Sequence, residues 1–193
     1  YLSPLMSKQP QTKLDVTGVG SRGGEFIARD LEKAVDQDAI TKAAVGEIIA
    51  YGKDRKSWLA FCSGVSHATH VAEEFRRCGI SCATIFGDTP KDERDRIIAD
   101  FKAGKIRALA SMGVLTTGFN APAVDLIAML RPTQSAGLYV QMAGRGTRLA
   151  QGKDNCLVLD FAGNVKRHVP IDLVQPKRPG SGDGDAPVKV CPE

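Results

Sequence analysis

Residues 57–90 read SWLAFCSGVSHATHVAEEFRRCGISCATIFGDTP. The stretch opens on a short apolar run, Ser57–Cys62, which ends in Ser63-Gly64. That is a buried strand feeding a loop. Ser66 stands where it can cap a helix, in which Ala68, Val71, Ala72, Phe75 and Cys78 fall at helical spacing. Gly79 then occupies the place of a residue just past a helix end. Ile80–Phe86 is a second strand, closed by Gly87-Asp88. Thr89 caps the next helix, and Pro90 takes its first position. Strand, helix, strand, helix at this pace predicts right-handed crossovers, hence an α/β fold with a mainly parallel sheet and helices on both faces.

The alternation continues outward. The second helix runs through Ile97, Ile98 and Phe101 to Gly104. Further strands are Ile106–Ala110, Val124–Leu130 (broken by Arg131-Pro132) and Cys156–Phe161, with a helix over 134–143. Upstream, residues 26–51 read as helix. Ile40, Ala44 and Ile48 form an apolar stripe with Val45 and Ile49 beside it, and Asp36 or Asp38 is placed to cap its second half. Residues 1–24 mix Pro, Gly, Ser and Thr, as a linker or a strand leading in. Gly23-Gly24-Glu25-Phe26 reads as a flexible turn ahead of the helix. Past Pro170 the periodicity is lost, and Gln175–Pro187 has the composition of a disordered linker. The expected organisation is a leading segment over 1–24, one domain over 25–175 and a tail over 176–193. The tail ends in Cys191-Pro192-Glu193, the first half of a CxxC zinc knuckle or a lone thiol.

The 193 residues suffice for one sizeable core. Apolar content of 42% and charged content of 25% are ordinary for a soluble domain, and a net charge of +4 permits a nucleic-acid partner without demanding one. No run of 18 apolar residues and no signal peptide appear. Of the five cysteines, Cys62, Cys82 and Cys156 lie in or beside apolar runs; they read as reduced thiols of a cytoplasmic protein. A chain that starts at Tyr1 is expected to be a fragment of something longer.

In parallel sheets ligands collect at the carboxyl ends of the strands. That rule selects Ser63-Gly64, Gly87-Asp88, the 111–120 loop and the segment Gln141-Met-Ala-Gly-Arg-Gly-Thr-Arg148. A helix over the last would set Arg145 and Arg148 on one face, where two guanidinium forks suit a phosphate. Gly144 and Gly146 would let another segment or a nucleotide approach the backbone. The plain alternative is a solvated basic helix. Thr116, Thr117 and Gly118 offer hydroxyls and amides to a phosphate backbone, and Asn120 an amide to a ribose; the alternative is a simple turn. No Gly-Lys pair stands in a G-x-x-x-x-G-K-[ST] loop, so no complete NTP-hydrolysing site lies within the chain. Asp92-Glu93-Arg94-Asp95 reads as a helix surface, and His67 and His70 as a solvated helix face rather than a zinc site.

Together these stretches resemble the second RecA-like lobe of superfamily 2 helicases of the DEAD/DEAH type. Trp58–Ser63 resembles motif IV, and Ala110–Pro122 resembles motif V. Phe86-Gly-Asp-Thr-Pro-x-x-x-Arg94 is similar to the segment that DEAD-box relatives carry after their second strand. Gln141–Arg148 resembles motif VI, Q-x-x-G-R-x-x-R. The resemblance covers residues 57–170 and is nearest to bacterial and phage RadD-like helicases, which carry a cysteine-rich zinc element after this lobe. It implies a RecA-like three-layer fold and ATP held between two lobes. The first lobe would supply the phosphate loop and the Mg carboxylates. Arg145 and Arg148 would act catalytically across the cleft, Arg148 as the finger on the γ-phosphate. Gln141 would contact the nucleotide phosphates or orient water, Gly144 would lie at the nucleotide, and Gly118 and Asn120 would lie near the ribose; Asn120 stands where the family usually has Asp. Ser63, Gly64, Gly87, Thr116 and Thr117 would touch the nucleic-acid backbone, DNA in preference to RNA. This chain alone would then be inactive. The rivals are a translocase subunit of a restriction or remodelling machine and a non-catalytic binding module.

Overall fold

The computed structural model describes residues 2–113 and 119–170. The chain begins with strand β1 (Leu5–Lys8), a hairpin of β2 (Ser21–Arg22) and β3 (Glu25–Phe26), and helices α1 (Ala28–Val35) and α2 (Asp38–Tyr51). The alternating part follows: β4 (Trp58–Cys62), α3 (Val65–Arg77), β5 (Cys82–Thr84), α4 (Lys91–Lys102), β6 (Ala108–Ser111), β7 (Leu126–Leu130), α5 (Ala136–Gly144), β8 (Cys156–Asp160) and α6 (Asn164–His168). Six strands form one sheet in the order β1-β8-β7-β4-β6-β5, and every pairing in it is parallel.

Because successive side chains of a strand point to opposite faces, the sheet builds two cores. Trp58, Ala60 and Cys62 of β4 pack with α1, α2 and α3 through Leu31, Val35, Ala44, Val45, Ile48, Ala68, Val71 and Phe75. Leu59 and Phe61 point the other way, to Phe101 of α4, to Phe119 and Val124, and to Tyr139 and Met142 of α5. All five residues of β4, β7 and β8 are buried, which is why they read as unbroken apolar runs.

Four expectations are corrected. The helix expected over 26–51 is two helices, separated where Gln37 turns extended (φ −111°, ψ 126°). Neither aspartate caps α2, because Asp36 is drawn 2.9 Å from His70 Nδ1 and Asp38 pairs with Lys42 at 2.7 Å. Ser66 does not cap α3, which starts a residue earlier with Gly64 in the cap position. Thr89 does not cap α4 either: Pro90 holds that position, and Thr89 Oγ1 accepts the Phe86 amide at 2.9 Å. Of the two readings of the leading segment, the strand is the one seen: Leu5–Lys8 pairs in register with Cys156–Leu159. Gly23-Gly24 forms a tight hairpin turn, after which the Glu25 carboxylate accepts from Thr133 Oγ1 and, at 3.0 Å, from the Gln134 amide.

Candidate nucleotide and nucleic-acid site

Parallel pairing sends all the carboxyl ends to one edge, where Ser63-Gly64 follow β4 and Gly87 follows β5. The arginine segment is not there. Helix α5 starts beyond the end of β7 and runs back along the sheet, so Arg145 and Arg148 emerge beside Cys156, the first residue of β8. A five-residue strand is about 13 Å long, and that length separates the two groups along the strand direction. The carboxyl-edge rule therefore misplaces the arginines, which follow a helix and not a strand.

The two arginines do not share a helix face, because α5 ends at Gly144 and Arg145 is its C-cap. They are brought together by the following bend. Arg145 Nη1 and Arg148 Nη1 each donate to the Phe119 carbonyl at 3.2 Å, and Arg148 Nη1 also donates to Asn120 Oδ1 at 2.8 Å. Asn120 is thus engaged with Arg148 through the oxygen that the ribose reading needs. Burial, and then the neighbouring Arg148, pull the Arg145 pKa down from its ordinary value. A guanidinium stays charged regardless, so the pair presents two positive charges held mainly by neutral oxygens in the bonds described. Lys153, half-buried, donates to the carbonyls of Gly146 (2.7 Å), Arg148 (2.8 Å) and Pro122 (3.2 Å), and burial lowers its pKa. Nothing in the motif spacing pointed to Lys153. Gly146 is buried against the sheet, whereas Gly144 has open space above its backbone and Gln141 is exposed on α5.

At the carboxyl edge Ser63 is 3% exposed. Its hydroxyl donates to the Leu130 carbonyl at 3.0 Å, and its amide donates to His67 Nδ1 at 3.2 Å. Ser63 is therefore an internal tie between β4 and β7. Gly64 is buried as well, beneath the Glu32 carboxylate, which accepts the His67 amide at 3.2 Å. Val65 and Ser66, in the first turn of α3, are the exposed residues beside them. His67 is not on a solvated face: it is 1% exposed, and desolvation pulls its pKa down to about 4. His70, exposed, has its pKa raised by the hydrogen bond to Asp36. Gly87 is exposed, in a loop that Arg94 Nη2 pins through the carbonyls of Phe86 (3.3 Å), Gly87 (3.1 Å) and Thr89 (3.2 Å). Thr116, Thr117, Gly118 and Cys191 lie outside the described residues. Among the described residues no cluster of three or more His, Cys, Asp or Glu side chains is arranged to hold a metal ion.

Comparison with known proteins agrees with this architecture. The helicase conserved C-terminal domain family matches residues 41–150, and the chain belongs to that family. The protein named mitochondrial ATP-dependent helicase irc3 of Schizosaccharomyces pombe is 36% identical over 74% of this chain and 25% of its own length. The pre-mRNA-splicing ATP-dependent RNA helicase prp28 of Aspergillus niger is 25% identical over 83% of this chain and 20% of its own. This chain thus spans about a quarter or less of such relatives. Among solved structures, an HsdR-subunit fragment of a type I restriction enzyme from Vibrio vulnificus superposes with a TM-score of 0.66, at 19% identity, over 89% of this chain and 34% of that one. The fold is the RecA-like C-terminal lobe of superfamily 2 helicases.

Proposed function

We propose that this chain is the C-terminal motor lobe of an ATP-dependent helicase or translocase, supplying Arg145 and Arg148 to a nucleotide bound against a first lobe. The observation that carries the reading is the convergence of both guanidiniums on the Phe119 carbonyl, with Arg148 also on Asn120. A polyphosphate can replace neutral acceptors of that kind, because its charged oxygens pair with a guanidinium fork at two points. ATP would supply the phosphoryl group, and the first lobe would hold most of it together with Mg. Arg148 stabilises charge on the γ-phosphate, Arg145 anchors the loop and adds a second positive charge, and Gln141 and Gly144 face the phosphates from α5.

Nucleic acid lies along the carboxyl edge of the sheet. Gly87 meets its backbone, joined by Thr116 and Thr117, while Ser63 and Gly64 shape the edge from within and Val65 and Ser66 form its surface. DNA is the preferred substrate in this reading; the Aspergillus niger relative is named an RNA helicase, so both polymers belong in the test. The free, buried thiols of Cys62, Cys82 and Cys156 suit a reducing compartment such as the cytoplasm. No helix among the described residues is long and apolar enough to cross a membrane.

The test is ATP hydrolysis by a longer protein that carries this chain together with its first lobe, without nucleic acid, with single-stranded DNA and with single-stranded RNA. Hydrolysis stimulated by DNA more than by RNA is expected. An intact longer protein that binds nucleic acid but never hydrolyses ATP would move the reading to a non-catalytic binding module.

A further inference from the structure

We propose that Lys153 is a positioning residue for the arginine pair: its ammonium clamps the 145–148 bend onto the Phe119–Pro122 segment and so fixes where Arg148 points. The inference rests on the reading of Arg148 as the finger.

Residues 145–155 belong to no helix or strand, so no backbone ladder fixes their course. An ammonium carries three donors. Here all three are met by carbonyls, two within the bend (Gly146 and Arg148) and one across from it (Pro122). The guanidiniums of Arg145 and Arg148 reach across in the same sense, to Phe119 and Asn120. The two segments are thus tied by three cations, all donating from residues 145–153, with main-chain oxygens and one side-chain amide of residues 119–122 accepting. The acceptors in these bonds are neutral, so the clamp itself adds no carboxylate to offset the charge a phosphate needs. Lys153 is aimed inward by a turn that its own amide closes on the Ala150 carbonyl at 3.3 Å. Gly152 has φ +73° in that turn, where a side chain would be strained.

Releasing the clamp turns three carbonyls towards water and lets the bend drift. A displacement of about 1 Å at a catalytic group costs about 10²-fold in rate. Arginine is a poor substitute, because its planar fork cannot direct three donors from one atom.

The experiment is a double-mutant cycle on the longer protein, with kcat and KM for ATP measured for wild type, Arg148→Ala, Lys153→Met and the double variant. Lys153→Met is expected to lower kcat by about 10²-fold, with KM changed by no more than about threefold. In the Arg148→Ala background Lys153→Met should cost far less than in wild type, since the part of its effect that runs through Arg148 is already gone. A folded Lys153→Met protein with wild-type kcat, or losses that multiply in the double variant, overturns the proposal. If Arg148→Ala is itself silent, the finger reading falls and the clamp with it. Circular dichroism and thermal unfolding report whether Lys153→Met folds. Should it not, Lys153→Arg carries the test: a kcat reduced at unchanged KM supports the clamp, and a wild-type kcat overturns it.

Discussion

A methyl group added at Gly146 would stand 2.5 Å from Cys156 Sγ, 3.0 Å from Cys156 Cβ and 3.1 Å from Ile127 Cδ1. Neither neighbour has room to retreat, since both are buried in the sheet. Gly146→Ala is therefore expected to destabilise the domain by about 1–3 kcal/mol through overpacking, read as a lower urea midpoint; an unchanged midpoint would show that the bend does not press on the sheet as described. The same residue scale shows where reading a sequence stops. The spacing of Gln141, Arg145 and Arg148 was legible because motif chemistry depends on residue types in order. The direction of a side chain was not. Ser63 carries a hydroxyl suited to a phosphate and spends it on the Leu130 carbonyl. Asn120 spends its oxygen on Arg148. Lys153 sits in a motif-free stretch, and only the fold reveals the three carbonyls around it.

At the scale of elements, helix α3 carries the carboxyl-edge surface, and His67 anchors it from beneath by accepting the Ser63 amide. That bond needs a neutral imidazole with a free Nδ1 lone pair. The folded pKa of about 4 lies below the ordinary 6.5, so the unfolded chain binds more protons than the native one between those values. Stability thus falls as pH drops from 6.5 towards 4, by up to about 3 kcal/mol from this residue. His70 works in the opposite sense: its raised pKa adds stability below the unfolded value, which is lost as pH rises through the folded one. Urea unfolding at pH 7 and pH 5 should show a smaller acid loss in His67→Gln than in wild type; equal losses would refute the role of His67. The elements themselves were largely legible from residue 57 onward, because strands buried on both faces give uninterrupted apolar runs. The edge strand β1 cannot be told from a linker in the sequence, since Leu-Met-Ser-Lys has one half-buried residue and three exposed ones. The break between α1 and α2 is not legible in the sequence: the apolar stripe of residues 40–49 lies wholly within α2, and only the extended backbone of Gln37 separates it from Leu31 and Val35 of α1.

At the scale of the whole molecule, the proposed function divides two tasks between the two ends of the sheet. Its carboxyl edge presents α3 and the Gly87 loop, and the arginine bend lies near the opposite ends of β7 and β8, on the face covered by α4 and α5. A lobe built this way can meet a polymer with one region and a nucleotide with the other. A change at the nucleotide then has the length of the domain through which to move the polymer contact. The net charge of +4 suits a narrow track on the phosphate backbone better than a broad basic face. This division was not legible in the sequence, because the rule for parallel sheets gathers every candidate at one edge and only the antiparallel return of α5 takes the arginines away from it. Whether Arg148 acts on the nucleotide is read from the ATP turnover of the longer protein with Arg148 replaced by Ala, at saturating ATP and single-stranded DNA. A loss of about 10³-fold or more is expected, the scale of an arginine finger in GTPases, with DNA affinity unchanged. Turnover at the wild-type rate would contradict it.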